Sequence, residues 1–190
     1  MKSIQSISVI IFFSLFMSCS NGQSPSSSLN DSTSLIEVPA PKYAILFPET
    51  EFPINKTEEV NPSLGDITVT NEILQGTDSN GPFMYFVAYN QIPPDLKKSI
   101  EGDPEAKAVS FKASLMSSAT KLGGTDFKFS PVNLGTNFGM ESICKVFNGN
   151  GIIKSRTFHI DEYMFMISAG GKNINEVDID NFLNSFRIID

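Results

Sequence analysis

The chain has 190 residues, 18% charged and 41% hydrophobic, with 14 basic against 21 acidic side chains. That length fits one ordinary domain with an appendage, and a formal charge of −7 argues against nucleic-acid or anionic-membrane binding, which depends on clustered Lys and Arg. Two cysteines and one histidine exclude a multi-disulfide scaffold and any zinc site built from Cys and His.

Lys2 is the only charge among the first eighteen residues, and Ile4 to Met17 is nearly all apolar, densest at Val9, Ile10, Ile11, Phe12, Phe13, Leu15 and Phe16. A charged start before a short apolar run has the form of a secretion signal. A permanent span needs about 20 apolar residues, whereas this run stops at Ser18-Cys19 and turns polar. Ser20 to Ser34 then holds seven serines in fifteen residues, with Asn21, Gly22, Pro25, Asn30 and Asp31. Such a composition buries too little apolar surface to order itself. As a tether it reaches roughly 20 Å by random-coil scaling.

Phe16-Met17-Ser18-Cys19 resembles the lipobox of bacterial lipoproteins, in which a small residue precedes a cysteine at the end of the apolar run. Phe16 and Met17 depart from the commonest form, which has Leu followed by a small residue. The resemblance implies a diacylglycerol thioether on Cys19 and cleavage before it, usually with acylation of the new amino group. One acyl chain holds a protein marginally, and two or three hold it stably. The competing reading is a cysteine that happens to end an ordinary signal; no Ala-x-Ala-like site lies nearby to support it. Removing residues 1–18 leaves 190 − 18 = 172 residues, and losing Lys2 makes the balance 13 − 21 = −8. The division expected is therefore 1–18 signal peptide, 19–34 lipidated Cys19 and tether, and 35–190 folded domain.

Within that domain, Tyr43 to Phe47 reads as a short strand stopped by Pro48, and Gly65 to Leu74 alternates as a half-exposed strand. Phe83 to Tyr89 is apolar on both faces and reads as central; Asp78-Ser79-Asn80-Gly81 joins the two as a hairpin. Pro93-Pro94 breaks the pattern. The clearest helix follows, capped by Asp103, opened by Pro104 and closed by Gly123-Gly124, with Ala108, Phe111, Leu115, Ala119 and Leu122 on one stripe. Strands at Gly139 to Phe147, Ile152 to Ile160 and Tyr163 to Ala169 are joined by short turns, which force an antiparallel meander. Gly170-Gly171 closes the last of them. A second helix from about Asn175 to Ser185 buries Ile179, Phe182, Leu183 and Phe186. The fold class expected is α+β, an antiparallel sheet flanked by helices in an α/β/α sandwich.

The strand Tyr43 to Pro48, the mid-chain helix, the meander with Arg156-Thr157-Phe158 and Tyr163-Met164-Phe165, and the close Phe182 to Ile188 together resemble Mog1/PsbP/DcrB-like domains of bacterial surface and periplasmic lipoproteins. The resemblance covers about Ala40 to Asp190 and rests on pattern and order. It implies that layered fold and no shared enzymatic activity, so no catalytic residue carries over.

The chemistry-bearing residues are few. His159 sits beside Asp161 and Glu162, a pairing that could bind a metal or shuttle a proton; the commoner meaning is a strand end and its solvated turn. Ser118–Lys121 and Ser142–Lys145 match Ser-x-x-Lys, but the first lies late in a helix and the second on a strand with its side chains on opposite faces. Gly170-Gly171-Lys172 lacks the rest of a phosphate loop and reads as a turn. Cys144 faces a helix as a small hydrophobe, or else is exposed and pairs between molecules. Asp178 and Asp180 suit the first turn of a helix. Sixteen Phe and four Tyr with no Trp fill a core or line a cavity for an apolar ligand.

The function expected is that of a non-enzymatic, membrane-anchored accessory or protein-interaction module of the bacterial cell envelope. Its contacts would be the membrane, through the lipid on Cys19, and an envelope protein partner, with no cofactor, metal or nucleic acid. The alternative is a lipoprotein that binds a lipid or small apolar ligand. Ser20 and Asn21 follow the anchor without an Asp, which in some bacteria permits export to the outer membrane; the periplasmic side of the inner membrane is the other location.

Overall fold

The computed structural model describes residues 39–61 and 66–189. The signal peptide, Cys19 and the tether expected from sequence lie outside the described residues.

Among the described residues, nine strands and three α-helices follow one another as β1 (Tyr43–Ala44), β2 (Ile54–Asn61), β3 (Ile67–Asp78), β4 (Gly81–Gln91), α1 (Pro94–Ile100), α2 (Pro104–Thr120), β5 (Thr125–Leu134), β6 (Asn137–Val146), β7 (Gly151–Ile160), β8 (Tyr163–Lys172), α3 (Glu176–Ser185) and β9 (Arg187–Ile188). The main sheet has seven strands in the order β2-β3-β4-β8-β7-β6-β5, antiparallel throughout. Two hairpins build β2-β3-β4, the helices α1 and α2 carry the chain to the far edge, and the meander β5 to β8 returns beside β4. The fold is α+β, as composition and periodicity lead one to expect.

Side-chain alternation sends successive residues to opposite faces, and each face has its own helix. Tyr85, Val87, Phe165, Ile167, Ala169 and Phe158 pack with Ile179, Phe182, Leu183 and Phe186 of α3. Phe86, Ala88, Met166, Met140 and Val69, from the other face, pack with Phe111 and Leu115 of α2. Lower on the same face, Ala119 of α2 meets Cys144, Val146 and Ile153. β1 and β9 form a separate two-stranded ribbon, with Tyr43 against Tyr89, Phe165 and Phe186; just after β1, Leu46 N–H donates to Ser185 Oγ of α3 at 2.9 Å.

Local chemistry explains the helix limits. The Asp103 carboxylate accepts from Glu105 and Ala106 N–H at 2.9 and 3.0 Å, satisfying two donors that a helix start leaves open. Asn175 does the same for Val177 N–H at 3.0 Å. The hairpin turn between β3 and β4 is closed by Asp78 Oδ1, which accepts from Asn80 and Gly81 N–H.

Several elements differ from the sequence reading. The first strand is two residues long rather than five. β2, α1 and β5 were not expected at all, and Pro94, read as a breaker, is the opening residue of α1, where a missing N–H costs nothing. β8 continues through Gly170-Gly171 to Lys172 instead of stopping before them.

Candidate functional site

The two sides of the sheet differ in chemistry. Buried polar residues collect on the α2 side: Asn71, Asn90, Ser142, Ser155, Thr157, His159 and Ser168 from the sheet, and Ser114 from the helix. Some are satisfied there. Ser168 Oγ donates to Ser155 Oγ at 2.6 Å, and Thr157 Oγ1 donates to the Phe165 carbonyl at 3.0 Å. Asn71 Oδ1, Asn90 Oδ1, Ser114 Oγ and His159 Nε2 have no hydrogen-bond partner among the described residues, and each such buried group costs stability on the order of 1–3 kcal/mol.

His159 is only 7% exposed, and its ring stands edge-on to Phe111 at 4.4 Å between centroids. The carboxylates that neighbour it in sequence do not join it. Glu162 turns to Lys97 of α1, whose Nζ donates at 2.7 and 2.9 Å, and Asp161 is exposed at a turn with φ of 53°. The charge that acts on His159 is instead Lys107 of α2. Burial, with help from that cation, pushes the imidazole down to about 3, so it is neutral at ordinary pH. The geometry therefore removes the histidine–carboxylate pairing; His159 is a core residue.

The Ser-x-x-Lys matches dissolve in the same way. Ser118 Oγ donates to the Ser114 carbonyl, one helical turn back, at 3.0 Å. Ser142 is buried on the α2 side, while Lys145 is exposed and pairs with Asp126 at 3.0 Å. Cys144 is 1% exposed, its thiol pushed up by burial; this agrees with the small-hydrophobe reading and not with an exposed Cys144 that pairs between molecules. Among the described residues no group of three or more His, Cys, Asp or Glu could hold a metal ion, and no helix is long and apolar enough to cross a membrane.

A cavity of about 10 Å³ lies between α2 and the sheet, lined by Met84, Phe86, Ser118, Leu122, Ser155 and Ser168 among others. That is about the space of one water molecule, whereas pockets for small ligands run to about 300 Å³ or more. Several of the aromatic residues are core: Phe111, Phe165 and Phe182 are each no more than 2% exposed, whereas Phe147 is 45% exposed.

One charged network, partly buried, has no counterpart in the sequence reading. Arg156 and Lys154 project from β7 on the α3 side, among Phe158 and Ile160. Glu141 of β6 accepts from Arg156 Nε at 2.7 Å and lies 3.6 Å from Lys154 Nζ. Lys154 Nζ also donates to Asp180 of α3 at 2.6 Å, and Arg156 Nη1 donates to Asn184 Oδ1 at 2.9 Å. Glu141, Lys154 and Arg156 side chains are only 14–18% exposed, so the network is a polar clamp between sheet and helix, balanced at two positive and two negative charges. A signal was present: two bases at i and i+2 share a strand face with apolar neighbours, which calls for a buried acid. Glu141→Ala leaves both cations short of a partner and is expected to lower stability by about 2 kcal/mol, less than a fully buried pair because some water reaches the site. The midpoint of urea unfolding would measure the loss.

Compared with known protein families, curated proteins and solved structures, the chain matches none.

Proposed function

We propose that the chain is a non-enzymatic lipoprotein of the bacterial cell envelope, anchored through Cys19, whose domain is a Mog1/PsbP/DcrB-like interaction or accessory module. The observation that carries the reading is the apolar run ending at Ser18-Cys19, followed by the serine-rich tether. A lipid is also what the charge requires, since a mature balance of 13 − 21 = −8 repels an anionic membrane surface.

The domain supports action through a surface. The cavity under α2 has no room for an acyl chain, which weakens the apolar-ligand alternative at that interface. Meanwhile Leu46, Val60, Val109 and Val177 stand 60–75% exposed. Such residues are ordinary singly, and gain meaning where they gather at a contact. The layered arrangement of α2, sheet and α3 is compatible with the Mog1/PsbP resemblance.

Cys19→Ser in the producing bacterium tests the anchor. The expected result is release from the membrane fraction and loss of the lipid mass from the mature chain. A variant that stays membrane-associated with unchanged mass would sink the lipoprotein reading.

A further inference from the structure

We propose that two copies of this chain pair edge to edge through β2, antiparallel, about a two-fold axis that passes between their Thr57 residues. The inference holds whether or not the chain is anchored. A strand at a sheet edge offers a row of unpaired N–H and C=O groups, and proteins commonly blunt such edges. The two edges of this sheet are treated differently. β5 carries Pro131 and a register shift between Thr125 and Lys128, both of which spoil pairing with another strand. β2 has neither: Ile54 to Asn61 runs in unbroken register with β3. Every residue from Ile54 to Val60 is exposed, and among the described residues no strand lies on the outer side of β2.

Charge then selects both the partner and the register. In a two-fold antiparallel pair, facing residues share a sheet face, so the axis must pass through a residue position. Three positions preserve most of the strand overlap. An axis at Lys56 sets Lys56 against Lys56, and one at Glu58 sets Glu58 against Glu58; like charges directly opposite are unfavourable. An axis at Thr57 sets Lys56 opposite Glu58 of the second copy, and by symmetry Glu58 opposite Lys56. The same register places Ile54, 50% exposed, opposite Val60, 60% exposed, at both ends of the same face. On the other face it places Asn55 opposite Glu59. The segment Ile54-Asn55-Lys56-Thr57-Glu58-Glu59-Val60 is thus complementary to itself in one register, and the charges that would blunt the edge against an arbitrary strand become ion pairs with a second copy.

Oxidative cross-linking of the full chain reads the register. Facing Cβ atoms lie about 4.5–5.5 Å apart, close enough for a disulfide after small adjustment. Thr57→Cys is expected to give a disulfide dimer under mild oxidant beyond the background of the parent chain. Glu59→Cys, whose two copies lie four residues apart along the strand, roughly 14 Å, is expected to stay at background. Lys56→Glu in the Thr57→Cys chain should cut dimer yield at least about fivefold, and adding Glu58→Lys should restore it. Without any cysteine substitution, sedimentation of the chain in mild detergent should show a dimer. A monomer by sedimentation, equal cross-linking at Thr57→Cys and Glu59→Cys, or failure of the double reversal to restore yield would each overturn the proposal.

Discussion

Gly170→Ala is expected to cost about 3 kcal/mol of folding stability, with an opposite sign from the usual effect of this substitution in a strand. Elsewhere, replacing a strand glycine by alanine removes backbone freedom from the unfolded chain and gains about 0.4–1 kcal/mol where the native backbone accepts it. Here β8 is sandwiched between β4 and β7 in the middle of the sheet. A Cβ at Gly170 would lie 2.4 Å from the Ile152 carbonyl oxygen and 2.7 Å from Ile153 Cα, and one at Gly171 would lie 2.6 Å from the Pro82 oxygen. These are backbone atoms held by ladder bonds on both sides, so the collision is relieved only by pushing strands apart. Thermal or urea unfolding of Gly170→Ala against the parent would measure it; a gain in stability would mean that the β7–β8 spacing is looser than the structure has it.

The same pair of glycines shows why parts of the fold were illegible. In sequence, Gly-Gly after an apolar run reads as a stop; the need for backbone to pass close to backbone is a property of neighbouring strands, which no local pattern records. α2 and α3 were legible because their limits are written in local chemistry, Asp103-Pro104 and Asn175, and because each buries apolar residues spaced three or four apart, Phe111, Leu115 and Ala119 in α2 and Ile179, Phe182 and Leu183 in α3. β2 was invisible for the opposite reason. It lies at the sheet edge, exposed on both faces, so Ile54 to Val60 carries no burial period. β5 hides its period differently: Phe127 and Phe129 pack on the α2 side, whereas Val132 and Leu134 pack on the α3 side. The phase therefore changes around Pro131 although the strand is continuous. Of the candidate site residues, Ser118, Ser142 and Cys144 were placed correctly from periodicity. His159 was legible as a strand-end residue beside a solvated turn; its burial against Phe111 was not, because that contact comes from α2, far away in sequence.

That buried histidine has the largest consequence for stability. Its folded-state value, about 3, lies below the ordinary 6.5, so between those limits the unfolded chain binds a proton that the folded chain refuses. Stability is then fully present above pH 6.5 and falls as pH falls, by up to about 1.4 kcal/mol per pH unit. Over the window of 6.5 − 3 = 3.5 units, the loss is on the order of 4–5 kcal/mol. His159→Leu keeps an apolar contact for Phe111 and removes the titrating group, so it is expected to flatten the fall in stability between pH 6.5 and 3.5 while changing stability at pH 7.5 by no more than about 1.5 kcal/mol. Lys107→Gln removes the second cause of the depression and should narrow the window by raising the histidine toward its ordinary value. Because the chain has one histidine, an NMR titration of its imidazole protons gives the folded value directly, and urea unfolding at a series of pH values gives the slope. Parallel pH profiles for His159→Leu and the parent, with a titration midpoint near 6.5, would show that water reaches the imidazole between α2 and the sheet.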